Sequence, residues 1–169
     1  MTALLLLLSA CTGSPADDTG AADTAGTADT ADTADTAPPP PGSLALTFRI
    51  DDDLIPEMAE AGEAPIGTFS GAIFREQDGT DLGPVDGAVP LAEFGVTVDL
   101  TPDGGPTAAL YTSDPIEPQI VWVLGCLDSD ANGECGDAGD PITVPSENKF
   151  RVEPETTTTV EVYMGMLRP

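Results

Sequence analysis

From Leu44 to the end of the chain the hydrophobic residues recur with a period of two, and this limits the fold more than any other feature. Leu44, Leu46, Phe48 and Ile50 alternate with Ala45, Thr47, Arg49 and Asp51, the pattern of a strand buried on one face. Phe69 and Ile73 share a face across Gly71, and Phe94, Val96, Val98 and Leu100 alternate with Gly95, Thr97 and Asp99. Ala108, Leu110 and Thr112 continue the pattern more weakly. Ile120 to Leu124 is apolar throughout, as expected of a central strand covered on both sides. Phe150 and Val152 are expected to point inward, with Lys149 and Arg151 outward. Val160, Val162, Met164 and Met166 close the chain, alternating with Thr159, Glu161, Tyr163 and Gly165.

Turn signals separate these runs: Asp78-Gly79, Asp86-Gly87, the stretch Pro102 to Pro106, and Asp114-Pro115. Only Pro56 to Gly62 offers a helical turn, stopped by Gly62 and Pro65. About seven short strands between Gly/Pro turns predict an all-β domain, an antiparallel β-sandwich over residues 44–169.

Charge and composition remove several function classes. The 169 residues carry 30 acidic and 5 basic side chains, a net charge of −25, and no histidine. Such a polyanion has no cationic surface to release counterions from nucleic acid, and no basic patch for an anionic membrane. Ser-His-Asp and Cys-His catalysis and histidine zinc sites are excluded outright. The charge predicts a soluble monomer whose partners are basic or cation-bridged.

The chain opens with Met-Thr-Ala, then Leu4 to Leu8, Ser9, Ala10 and Cys11. Five leucines are too few to span a bilayer, which takes about 20 apolar residues, but they suit the apolar core of an export signal. Leu8-Ser9-Ala10-Cys11 resembles the lipobox of bacterial lipoproteins at every position. The resemblance implies a signal peptide over residues 1–10 and lipidation of Cys11 after cleavage, so that the chain meets the membrane through a lipid anchor. No Lys or Arg precedes the leucines, so the expectation is either a weak signal or a true start further upstream. Thr12 follows the cysteine where an aspartate would imply inner-membrane retention, and by resemblance to Gram-negative lipoproteins this points to the outer membrane.

Residues 12–43 contain no Val, Ile, Leu, Met or aromatic residue, and Ala-Asp-Thr recurs at 22–24, 28–30, 31–33 and 34–36. A segment with nothing to bury cannot offset its chain entropy and is expected to be a disordered tether. Its aspartates repel one another and Pro38 to Pro41 stiffen its end. Fully extended it would reach on the order of 100 Å. Asp-Thr-Ala also resembles a threonine O-glycosylation acceptor of some bacterial surface proteins, which Thr24, Thr30, Thr33 and Thr36 would fit.

At the other end, an acidic loop leads into Phe150-Arg151-Val152, a Thr-rich turn and Val160-Glu161-Val162. This order resembles transthyretin-like (prealbumin-like) modules of bacterial surface proteins and implies a prealbumin- or immunoglobulin-like sandwich.

One segment carries specific chemistry. With Cys11 assigned to lipid, Cys126 and Cys135 remain, and in an oxidising compartment they are expected to form a disulfide. Within that loop Asp128, Asp130, Asn132 and Gly133 reproduce the D-x-D-x-N-G opening of a calcium loop, where alternate oxygens converge on one hard cation. The Glu134 carbonyl would follow, and Asp137 and Asp140 stand nearby. Position twelve is Gly139 rather than the glutamate of an EF-hand, and strands replace its flanking helices, so the loop is not an EF-hand. Two readings stay open: a structural Ca2+ site, or a solvated acidic turn built from the residues turns favour. Asp51-Asp52-Asp53 is expected to be a solvated strand end, because consecutive residues splay to opposite faces.

Three functions follow. The first is a cell-envelope lipoprotein displaying a non-catalytic β-sandwich for binding or adhesion to an envelope protein or glycan. The alternative is a structural accessory subunit of an envelope or secretion assembly. A carboxylate-based hydrolase ranks below both. Aromatic residues are 5% of the chain, Trp122 reads as core rather than as a sugar platform, and no G-x-S-x-G elbow is present.

Overall fold

A computed structural model describes residues 37–105 and 108–169. The leader, the lipobox with Cys11, and the Ala-Asp-Thr repeats with Thr24, Thr30, Thr33 and Thr36 lie outside the described residues. The elements run β1 (Ser43–Ile50), α1 (Leu54–Ala61), β2 (Ile66–Arg75), β3 (Gly79–Thr80), β4 (Gly83–Pro84) and β5 (Ala92–Asp99). They continue as β6 (Tyr111–Thr112), β7 (Ile120–Asp128), β8 (Pro141–Thr143), β9 (Lys149–Arg151) and β10 (Thr157–Leu167).

The domain is all-β apart from α1, and its strands join into one sheet rather than two. The order is β5-β2-β7-β8-β10-β1-β6, with β9 also on β7, while β3 and β4 form a separate hairpin. The sheet curls into a near-closed barrel, where the alternation had suggested an open sandwich. Period two reports that one face of each strand is buried, and a barrel satisfies that as well as a sandwich does. The ladder is antiparallel except between β1 and β10, which run parallel from Ser43↔Thr157 to Ile50↔Met164.

Leu44, Leu46, Phe69, Ile73, Val98 and Val121 line one interior cluster. Fully burying a side chain of this size is worth about 1.5–3 kcal/mol. From α1, Leu54 and Met58, one helical turn apart, join that cluster. Close approach sets the curvature where Gly71 of β2 faces Gly125 of β7. A Cβ at Gly71 would lie 2.5 Å from the Phe69 ring, and one at Gly125 2.4 Å from the Ser70 carbonyl. Here the Phe69 ring covers backbone that carries no side chain.

The two end strands of the sheet, β5 and β6, are joined by side chains: the Phe94 and Tyr111 rings stack with centroids 4.3 Å apart. Tyr111 therefore turns toward the core, and Leu110 is 40% exposed. This reverses the inward assignment of Leu110, because β6 is only two residues long and pairs Tyr111 with Leu46.

Strand β7 is buried on both faces, as its composition predicts. Its outward Trp122 and Leu124 form a second cluster with Phe74. Trp122 is 5% exposed, and its indole N–H donates to the Glu76 carbonyl at 2.9 Å. The Lys149 ammonium sits 4.9 Å from the Trp122 ring centroid and 2.7 Å from the Glu76 carboxylate.

The last strand departs from its alternation. The register slips between Met164↔Thr143 and Met166↔Ile142, so two steps on β10 oppose one on β8, a β-bulge. Beyond it the faces exchange: Leu167 packs on the core and Met166 is 42% exposed, against the expected inward Met166.

Candidate functional site

The acidic loop joins β7 to β8. Cys126, in β7 opposite Ser70 and Ile142, is bonded to Cys135, with Cα atoms 5.8 Å apart. The expected disulfide is therefore present and ties the loop to the sheet.

Two buried carboxylates at the loop's ends organise it. Asp128 accepts the Asn132 N–H at 3.2 Å on Oδ1 and the Gly133 N–H at 3.1 Å on Oδ2. Asp140, 3% exposed, accepts the Ser129 N–H on Oδ1 at 3.3 Å, with the Ser129 hydroxyl, which it shares with Glu63, also at 3.3 Å. Its Oδ2 accepts the Gly136 and Asp137 N–H groups at 2.8 and 3.1 Å. Backbone N–H groups thus supply the positive ends that these buried anions need. Gly133 takes φ +86°, the left-handed turn its place in the motif requires.

The central residues interlock around one amide. Asn132 Nδ2 donates to Asp130 Oδ2 at 2.9 Å and Asp137 Oδ2 at 3.0 Å, and its Oδ1 accepts the Glu134 N–H at 2.7 Å. Asp130, Asn132, Glu134 and Asp137 are exposed. Among the described residues, no group of three or more His, Cys, Asp or Glu side chains is placed to hold a metal ion. Hydrogen bonds account for the loop's shape, and they use only part of the carboxylates' acceptor capacity.

Two residues distant in sequence brace the loop. Glu63, just past α1, accepts the Ser129 hydroxyl at 2.8 Å. Arg168 hydrogen-bonds through its backbone to Asp140 and Gly139, both at 2.9 Å.

The Asp51–Asp53 cluster lies apart from this loop in its contacts; Asp52 and Asp53 are exposed, as expected of a solvated strand end, while Asp51 is half-buried. Asp51 accepts the Tyr163 hydroxyl and the Asp53 N–H. The Tyr163 hydrogen bond, helped by that N–H and the nearby Arg49, holds the Asp51 carboxyl below its ordinary pKa. The same bond, with desolvation, pushes Tyr163 up. Arg49 stacks 4.5 Å from the Tyr163 ring centroid and pairs with Glu161 at 2.9 Å.

Against the Cys126 side of the loop lies a groove that sequence reading missed. It holds about 710 Å3 on the outer face of the sheet. Its floor is Ser70, Ala72 and the Gly71–Gly125 backbone; Phe74, Leu124, Ile142 and Met166 line it, and Leu82 of the β3–β4 hairpin overhangs it. Asp81, Glu93 and Arg168 supply its charges. The one available signal was a lone leucine between turn residues, at Asp81-Leu82-Gly83, with no partner visible in the sequence.

Comparison of the chain with protein-family models, with curated proteins and with solved structures returned no match in any of the three. Fold and site define the class: an acidic, disulfide-braced, near-closed β-barrel domain with an open apolar groove beside its acidic loop.

Proposed function

We propose that this chain is a lipid-anchored envelope protein, held through Cys11 in the outer membrane. It displays its β-domain on the Ala-Asp-Thr tether as a non-catalytic binding or adhesion module. The observation that carries the reading is the division of the cysteines. Of the 3 in the chain, two are spent in the Cys126–Cys135 disulfide, and the third ends Leu8-Ser9-Ala10-Cys11, which resembles a lipobox at every position. A disulfide of this kind supports an oxidising compartment. A groove within the usual volume range of ligand sites supports binding.

Calcium enters the reading as a structural ligand of the acidic loop. Asp128, Asp130, Glu134, Asp137, Asp140 and the Asn132 amide are hard oxygen donors, the set that this cation prefers. The disulfide limits the entropy lost in gathering them. The ion would brace the loop.

The anchor is tested by expressing the full chain and its Cys11→Ser variant in a Gram-negative host fed labelled palmitate. The parent chain is expected to take up label and fractionate with the outer membrane, and the variant to lose both. An unlabelled parent chain, or a variant that fractionates identically, would overturn the reading.

A further inference from the structure

The groove beside the acidic loop has a polarity that specifies a ligand. Its wall is apolar and includes side chains that are costly to leave in water. Leu82 is 98% exposed and Met166 42% exposed, yet both face this one groove. Met166 is there because the β10 bulge reverses the alternation that would have buried it. Bulges that re-aim a side chain recur next to binding sites.

The groove crosses the sheet from Glu93 of β5, over β2, β7 and β8, to Met166 of β10. Four inter-strand steps make that roughly 19 Å, the reach of an extended acyl chain. At the β10 end stands Arg168. The other four basic residues, Arg49, Arg75, Lys149 and Arg151, each pair with a carboxylate. Arg168 pairs with none among the described residues, although the chain carries a net charge of −25. Its backbone is held by Asp140 and Gly139, so the guanidinium starts from a fixed base.

We infer that the groove binds a single-chain anionic amphiphile, with its acyl tail across the sheet under Leu82 and its carboxylate on Arg168. A guanidinium and a carboxylate form a charge-assisted, two-pronged pair, and the methylenes would cover apolar surface now facing water. Of the groove's two acidic residues, Glu93 lies at the tail end, four strand steps from the head. The inference deepens the binding role proposed above and needs the anchor only for display of the domain.

The test uses the oxidised full chain carrying Cys11→Ser, so that its outcome is independent of lipidation. Calorimetric titration compares dodecanoate with dodecyltrimethylammonium, which has the same tail and the opposite head, below their micelle concentrations. Dodecanoate is expected to bind saturably at one per chain, at least about tenfold tighter than the cation. On a protein this acidic, general electrostatics would favour the cation, so that order is diagnostic. Each methylene from octanoate to dodecanoate should tighten binding about two- to fourfold. Arg168→Gln should abolish the preference for the anionic head, and Leu82→Asp should weaken dodecanoate about tenfold or more. Leu82 is too exposed for its replacement to disturb the fold, and thermal melts of both variants check this. No saturable binding, a preference for the cation, or indifference to either substitution would overturn the inference.

Discussion

Asn148 offers the most exacting test of how this barrel is held together. It lies between the turn at Pro145–Glu147 and strand β9, and it is 0% exposed. Its side chain behaves as a piece of strand backbone. Nδ2 donates to the Val144 carbonyl at 2.8 Å and the Tyr163 carbonyl at 2.7 Å, while Oδ1 accepts the Tyr163 N–H at 2.8 Å. It thereby stitches the chain between β8 and β9 onto β10, where no strand ladder reaches. Asn148→Ala would leave the Tyr163 N–H without a partner, at about 1–3 kcal/mol for a buried group. The two carbonyls each keep one backbone partner, Glu147 N–H for Val144 and Val144 N–H for Tyr163, so each loses about 0.5–1.5 kcal/mol. The total is about 2–6 kcal/mol, a large part of the stability of a domain this size. Urea denaturation followed by Trp122 fluorescence should show that loss at an unchanged m-value, with Tm lower by about 6–24 °C. Asn148→Asp should cost at least as much, because it turns an acceptor toward two carbonyls. A loss below about 1 kcal/mol for Asn148→Ala, with m unchanged, would refute the bridging role.

Reduction of Cys126–Cys135 in the Cys11→Ser chain should cost about 2.5–3 kcal/mol for a loop of about ten residues, seen as a calorimetric Tm lower by about 8–12 °C. A shift under about 3 °C would mean that Asp128 and Asp140 alone keep the loop closed in the reduced chain. Calcium at 10 mM, with affinity on the order of 1 mM, should add about 1.4 kcal/mol and raise Tm by about 4–6 °C. The gain should vanish with EDTA or in Asp128→Ala/Asp130→Ala, and superimposable melts would reduce the motif to a hydrogen-bonded turn. Tyr163→Phe should let the Asp51 pKa rise toward its ordinary 3.8, read by carboxyl-carbon NMR titration. Asp51 is depressed and Tyr163 raised, so the stability gap between parent and variant should be full at neutral pH. It should close as pH falls below about 4 and again as it rises above about 10; a gap flat across both limits would refute the pairing.

Much of the interior was legible in the residue order. Leu44, Leu46, Phe48 and Ile50 are all buried, because burial of one face follows from alternation alone. Ile120 to Leu124 reads as a strand covered twice, and the second covering is the Trp122 cluster. The errors fall where the period is interrupted or the run is too short to carry one. Met166 was assigned inward because nothing in Met164-Gly165-Met166 announces an inserted residue. Leu110 was assigned inward because a two-residue strand has no phase of its own. The acidic loop was half legible: the cysteine pairing followed from counting, and the turn glycine from the spacing. That Asp128 and Asp140 are the buried pair needed the fold, since all the loop's aspartates look alike in a string.

The amino-acid order by itself determined an all-β domain, the disulfide, and which side of most strands is dry, because these depend on local periodicity and on composition. Tertiary structure alone decided that the sheet curls into one near-closed barrel, that β1 lies parallel to β10, and that Asn148 substitutes for missing ladder. It also brought Leu82, Met166 and Arg168 to one groove, although 86 residues separate the first from the last. Those outcomes depend on which strands meet, and on the one-residue slip in β10, and the cost or gain of each is set by residues far away in the chain.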